Sequence, residues 1–414
     1  MTDRNANHPG YKKTKVGWIP EEWDVTKLAS TSKIIMGQSP NSEFYNEVGE
    51  GLPLIQGMSD IKDGKTQPRY WTTQITKECH PDDIILSVRA PVGNVARSIH
   101  HGCIGRGVCV VRSKKSSDFI FQLLKYMEPV WARYSQGSTF EAVVSKDVKQ
   151  FPVPNPPYPE QKRIAEILNT WDRAIEQTRQ LIDAKQRLKK GLMQQLLTGR
   201  MRFPGFGAPV EKAGELPEGW EEKTLGDMGT FSKGANIQKS DLVDEGIPCI
   251  RYGEIYTVHD FILKEFKSYI SSSTAMSSKR IYKGDILFAG SGETREEIGK
   301  CIAYVDEYEA YAGGDVIIFR SNESNPYYLG YLLNHPLIIK QKSALGQGYS
   351  IFHIYPNMLK KLIIHLPPRN EQKMIVHVIS TLDNEILRLV KLTKFLNLQK
   401  LGLLQKLLSG EVRV

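Results

Sequence analysis

The chain has 414 residues, 40% of them hydrophobic and 24% charged, and a formal net charge of +9. That length exceeds one ordinary core and suits two domains of ~150 residues each plus connections, while the composition is that of a globular rather than a disordered chain. No apolar run approaches the ~20 residues that span a bilayer and residues 1–15 lack the apolar segment of a secretory signal, so a soluble, cytoplasmic protein without a membrane partner is expected, with positive charge that suits a polyanion.

Five cysteines (Cys79, Cys103, Cys109, Cys249, Cys301) stand in isolation, with neither a CxxC pair nor a histidine at ligand spacing. They support neither a disulfide framework nor a zinc site, and no metal site is expected. In chain order, the first region opens with Ile19-Pro20-Glu21-Glu22-Trp23 and carries β-rich runs at 83–88 and 108–111, then a helical stretch near 119–134. Glycine and proline punctuate it throughout. From Glu160 to Thr198 proline is absent and Gly191 is the one glycine, and apolar residues fall at Ile164, Leu168, Trp171, Ile175, Ile182, Leu188, Leu192 and Leu196. This near-heptad stripe predicts a helix of ~60 Å. Two prolines precede it and Gly199 follows it, as suits a helix entrance and end. Lys185 and Thr178 interrupt the stripe.

After a linker the pattern returns. Leu216-Pro217-Glu218-Gly219-Trp220 opens a second region with β-rich runs at 285–288 and 316–319 and a helical stretch near 327–345. A second long stripe follows at Ile375, Ile379, Leu382, Ile386, Leu389, Leu396, Leu403 and Leu407, interrupted by Gln399 and closed by Gly410. Residues 156–202 align with 367–413 without a gap, with 18 identities in 47 positions. The preceding regions repeat more loosely, and the offset between copies grows from 197 at Trp23 to 208 at Arg112, which marks loop insertions.

The expected fold is α+β: two similar globular domains separated by two long antiparallel helices that form an intramolecular coiled coil, with pseudo-two-fold symmetry. The expected boundaries are 1–155 and 215–366 for the globular regions, 156–200 and 367–414 for the helices, and 201–214 for the linker. The helix positions expected to carry the spacer and partner contacts are Ile164, Leu168, Trp171, Ile175, Leu192, Leu196, Ile375, Ile379, Leu382, Ile386, Leu403 and Leu407. Loop residues suited to base edges and phosphates are Gln38, Ser39, Arg89, Asn94, Arg97, Arg106, Gln136, Ser138 and Thr139 in the first half, and Lys233, Asn236, Arg251, Arg295, Gln347 and Tyr349 in the second.

Catalytic motifs are weaker. Asn155-Pro156-Pro157-Tyr158 spells the NPPY of adenine-N6 DNA methyltransferases, and Phe203-Pro204-Gly205-Phe206-Gly207 the FxGxG of their cofactor loop. A self-contained methyltransferase is therefore the alternative reading. Against it, the second copy reads Leu366-Pro367-Pro368-Arg369, so the prolines recur and the chemistry does not. Gly299-Lys300-Cys301 has the wrong spacing for a phosphate loop, and Asp82-Asp83 lacks the ExK of a metal-dependent nuclease.

The order P-E-x-W, variable region, P-P-x-x-E-Q-K, long helix, L-L-x-G, all of it twice, resembles the specificity subunits of type I DNA restriction-modification systems over essentially the whole chain. The resemblance implies a non-catalytic subunit in which two target recognition domains read the halves of a bipartite site in double-stranded DNA and the paired helices act as spacer. It also implies that two modification (M) subunits dock on those helices, that restriction/translocase (R) subunits join them, and that S-adenosylmethionine, ATP and Mg sit on these partners while no cofactor is bound by this chain.

Overall fold

The computed structural model describes residues 9–135 and 142–414. The chain divides into two compact units, residues 1–180 with 390–414 and residues 181–389. Both divisions fall inside a long helix, the first spanning Tyr158–Leu196 and the second Arg369–Leu408. Each unit therefore contains one globular region, one end of the first helix and the opposite end of the second.

In unit 1 a six-stranded sheet runs in the order Ser32–Met36, Val108–Ser113, Ile84–Ser87, Val95–Arg97, Lys65–Thr66 and Ile61–Lys62. A five-stranded sheet lies against it. Side chains alternate along a strand, and the alternation here feeds two cores. Ile85, Val108 and Val110 join Ile55, Cys79 and Ile104 between the sheets, whereas Ile84, Leu86, Cys109 and Val111 join Trp23, Phe119, Leu123 and the long helices on the other face. Strands buried on both sides read as continuous apolar runs, which is why residues 83–88 and 108–111 stood out.

Unit 2 repeats the design. Its four-stranded sheet runs Thr230–Lys233, Val316–Arg320, Ile286–Ala289 and Cys301–Ala303. Ile286, Phe288, Ile317 and Phe319 face the helix side, and Leu287, Ala289, Val316 and Ile318 face the second sheet. In each unit an aspartate before the central strand takes a bidentate arginine: Arg112 reaches Asp83 at 2.7 and 2.5 Å, and Arg320 reaches Asp285 at 2.7 and 2.8 Å. The same carboxylates accept the backbone N–H of His80 and Tyr282. Asp83 is thus a structural staple.

The expected helical stretches are each two helices. Ser117–Tyr126 is followed by Glu128–Ser135, and Pro326–Leu332 by Pro336–Leu345. Pro129 and Pro336 lack the N–H a continuous helix needs at these joints. At the second joint the Asn334 side chain donates to the carbonyls of Gly330 and Cys301 instead.

Within each unit the two long helices run antiparallel. In unit 1, Lys400 pairs with Asp172 at 2.7 Å and Arg413 with Glu160 at 2.6 Å, so residue numbers rise on one segment as they fall on the other. In unit 2, Lys189 pairs with Asp383 at 2.5 Å and Lys185 with Glu385 at 2.6 Å. Lys189 to Asp383 and Lys400 to Asp172 are the same pair in the two copies, each shifted by 211. The interruption at Lys185 is therefore an interhelical ion pair, Thr178 turns its hydroxyl back to the Ala174 carbonyl, and Gln399 is exposed.

The seam is buried most at its ends. Ile164, Leu168, Ile175, Leu196, Ile375, Ile379, Leu382 and Leu407 are buried, and Trp171, Leu192, Ile386 and Leu403 are half-buried. The buried ends belong to the globular cores: Ile164, Leu168 and Leu407 pack with Trp23 and Phe151, and Leu196, Ile375 and Ile379 with Trp220 and Tyr328. Leu188, placed on the stripe by its spacing, is instead half exposed.

Candidate nucleic-acid interface

The repeated motifs meet at one clamp per unit. In unit 1 the Trp23 indole donates to Glu160 at 2.9 Å, and Arg413 grips the same carboxylate at 2.6 and 3.0 Å. In unit 2 Trp220 donates to Glu371 at 2.9 Å, and Arg202 grips it at 3.0 and 2.9 Å. The tryptophan comes from P-E-x-W, the glutamate from E-Q-K and the arginine from just past the glycine that ends the other helix. Those glycines, Gly199 and Gly410, have φ of +71° and +74°, and a Cβ on either would lie 2.3–2.4 Å from the ring of Pro217 or Pro20. Only glycine suits both the conformation and the close approach. Each P-E-x-W thus sits on the end of the helix from the opposite half of the sequence, and each globular region is fixed to both rods.

NPPY forms part of this joint. Asn155 ends the strand Pro152–Asn155, paired with Asp24–Lys27, and its side-chain oxygen accepts from the Gln161 amide at 3.0 Å. Gln161 also donates to the Pro156 carbonyl, as Gln372 does to Pro367 in the copy, both at 2.9 Å. The motif joins a strand to a helix entrance, and the methyltransferase reading loses its anchor. Residues 203–207 form a turn with no helix after it, unlike a cofactor loop.

With the scaffold fixed, most of the predicted contact residues gather into one patch in each unit and a second in unit 2. The first lies where two backbone segments cross at paired glycines: a Cβ on Gly37 would meet the Gly105 carbonyl at 2.1 Å, and one on Gly234 the Gly313 carbonyl at 1.9 Å. In unit 1 this crossing carries Gln38, Ser39 and Arg106, with the Ser39 hydroxyl accepting the Arg106 N–H at 3.1 Å. Gln38 and Arg106 are exposed. In unit 2 it carries Asn236, at φ +51°, and Arg251, whose Cγ would lie 3.6 Å from a Cβ on Gly313. Asn236 donates to the Ser277 carbonyl and Arg251 pairs with Glu254 at 3.1 Å.

The second patch of unit 2 is a three-stranded sheet of Ser291–Gly292, Phe352–His353 and Gln347–Gly348. Tyr349 is fully exposed in the turn between its last two strands. Arg295, in the loop after Gly292, donates to Ser343 at 3.0 Å. Lys233 places its Nζ 5.6 Å from the ring centre of Tyr355, and His353 stacks near the same ring at 6.3 Å. Tyr355 and His353 were not foreseen; their alternation in Phe352-His353-Ile354-Tyr355, with Ile354 buried, was the available signal. The patch joins cations, amides and aromatic faces, the groups that bind phosphates and bases.

In unit 1 the matching position holds Arg89, which bridges Ala142, and Asn94, which donates to the Pro91 carbonyl at 3.1 Å. Gln136, Ser138 and Thr139 lie outside the described residues. Arg97 belongs to neither patch. Its guanidinium donates to Ser117 and Asp118 and lies 4.5 Å from the Phe121 ring centre, lining a cleft of about 1090 Å³ with Asp172 and Lys400. Its role here is packing.

The profile of the type I restriction modification DNA specificity domain matches residues 20–184 and again 217–395. The type I restriction enzyme MjaVIII specificity subunit of Methanocaldococcus jannaschii is 26% identical over 96% of this chain and 94% of its own length. The MjaX specificity subunit of the same organism is 39% identical over 200 residues, so the aligned part spans about half, 47%, of each protein. The crystal structure of a type I restriction-modification S subunit from M. genitalium superposes with a TM-score of 0.59 at 16% identity, covering 93% of this chain and 96% of that one, a likeness of fold. The relatives are named as specificity subunits, in agreement with the expectation of a non-catalytic chain. Among the described residues no helix is long and apolar enough to cross a membrane. With two copies of the specificity domain, each carrying the tryptophan and glutamate of one clamp, the chain belongs to the family of type I restriction-modification specificity subunits, proteins of DNA recognition.

Proposed function

We propose that this chain reads a bipartite site in double-stranded DNA, one half per globular region, and scaffolds the subunits that act on it. The observation that carries the reading is the repetition of a whole unit, with a glycine crossing at the matching place in each, on two helices that each continue through both units. Two readers on helices of set length specify two short sequences with an unread gap between them.

Two modification subunits dock on the helices in this reading. Leu392, Phe395, Leu398 and Leu401 on the second helix in unit 1, and Leu181 and Leu188 on the first helix in unit 2, are 44–68% exposed, apolar surface of a kind that marks protein contacts. These subunits bring S-adenosylmethionine and methylate adenine in the cytoplasm; restriction/translocase subunits using ATP and Mg join them. The chain itself binds no cofactor in this role.

Methylome sequencing of cells that express the chain with and without its modification partner tests the proposal. Chain-dependent adenine methylation at a split motif is the expected result. Methylation at an unsplit motif, or methyl transfer by the isolated chain that Asn155→Ala abolishes, overturns it.

A further inference from the structure

The outer edge of the five-stranded sheet in unit 1 gathers three side chains outside the patches described above. Its edge strand, Glu78–Cys79, pairs antiparallel with Gly102–Ile104, with Cys79 opposite Gly102. One residue further, the same register sets His80 opposite His101. Cys79 is buried and points inward, so Glu78 and His80, two apart on one strand, both point outward. His80 and His101 stack with ring centres 4.8 Å apart, and the Glu78 carboxylate meets His101 Nε2 at 2.6 Å. One donor atom from each of the three lies within 4.8 Å of the others.

We propose that Glu78, His80 and His101 bind a divalent transition-metal ion of the zinc, cobalt or nickel class. Two imidazoles and one carboxylate are the donors these ions favour. At ligand distances of about 2.1 Å a tetrahedral ion needs donors roughly 3.4 Å apart, a contraction that small rotamer changes supply because all three side chains are exposed. The backbone beneath them is rigid. Cys79 Sγ meets Ser98 Oγ at 3.4 Å, and the His80 N–H is held by Asp83, itself fixed by Arg112. Water fills the remaining coordination positions.

Unit 2 shows what the site replaces. Its matching edge strand, Lys279–Ile281, places buried Ile281 opposite Ala310 as Cys79 lies opposite Gly102. Arg280, Tyr282 and Glu309 then occupy the positions of Glu78, His80 and His101. They close the edge with an ion pair of 3.7 Å and a cation over a ring at 5.2 Å. Both units pin a short edge strand to its neighbour, as exposed edges require, and in unit 1 the pinning groups are metal donors.

Isothermal titration of the tag-free full chain with zinc chloride tests this. One zinc ion per chain is expected, with His80→Gln and His101→Gln each weakening that binding at least tenfold and His377→Gln, an exposed histidine of unit 2, leaving it unchanged. No zinc binding, or binding that both substitutions leave intact, overturns the proposal.

Discussion

The clamps of the two units use the same three residue types and differ in exposure. Around Glu371 the side chains of Arg202 and Glu371 are both 1% exposed, whereas Arg413 on Glu160 is 40% exposed and shares itself with Glu22 at 2.8 Å. In one copy both partners are buried, and in the other the carboxylate is buried and its arginine is open to water, although the contacts are alike. Equal sequence motifs should thus make unequal energetic contributions, because removing one partner of a buried pair leaves a charge that water cannot reach.

The largest expected effect follows directly. Glu371→Ala strands Arg202 and the Trp220 indole and should destabilise unit 2 by about 3–5 kcal/mol. Glu160→Ala, whose arginine is solvated, should cost unit 1 clearly less. Hydrogen exchange resolved by segment, as denaturant is raised, measures both; equal losses would show that exposure does not govern the clamp.

Gly199→Ala and Gly410→Ala should instead cost both units alike, on the order of 1–2 kcal/mol for the left-handed backbone alone, plus the clash with Pro217 or Pro20. Thermal unfolding of the two variants compares them. A marked asymmetry would mean that the helix ends are not equivalent joints.

Acid separates the units next. Burial lowers the pKa of His259, helped by Lys300, and burial lowers that of His335, both in unit 2. A histidine lowered in the folded state takes up its proton more readily when unfolded, so its contribution is intact above about pH 6.5 and is lost as pH falls toward the folded value. In unit 1 the described histidines are exposed or half-buried, and burial raises the pKa of Glu128, which acts in the opposite direction. Limited proteolysis from pH 7.5 to 5.5 should open unit 2 first; His335→Gln should narrow the difference.

The smallest effect concerns one patch. In the assembled complex Lys233→Ala should lower DNA affinity evenly across sequences and reduce the salt slope by about 1, whereas Tyr349→Ala should relax the bases of one half-site and leave the other unchanged. Fluorescence anisotropy over a salt series, with each half-site varied in turn, distinguishes them.

Local patterns made the scaffold legible. The strands around Ile85 and Leu287 are buried on two faces and announce themselves as apolar runs, and the stripes from Ile164 and Ile375 carry helical spacing. What escaped is non-local. Nothing near Glu160 says that Trp23 and Arg413, 137 and 253 residues away, will meet on it. Arg97 looked like a loop arginine because Asp118, its partner, lies 21 residues on. The glycine crossings that gather Gln38 with Arg106, and Asn236 with Arg251, exist only once the sheets are stacked. His80 and His101 become neighbours only through strand register.

The reading of two readers on a helical spacer is tested most directly by its length. Inserting one helical turn into both long helices, and sequencing the methylome of cells carrying the variant with its partner, should leave both half-sites unchanged and lengthen the unread gap by one or two base pairs, since a turn of roughly 5.4 Å corresponds to about 1.6 steps of 3.4 Å. Altered half-sites with an unchanged gap would contradict the account.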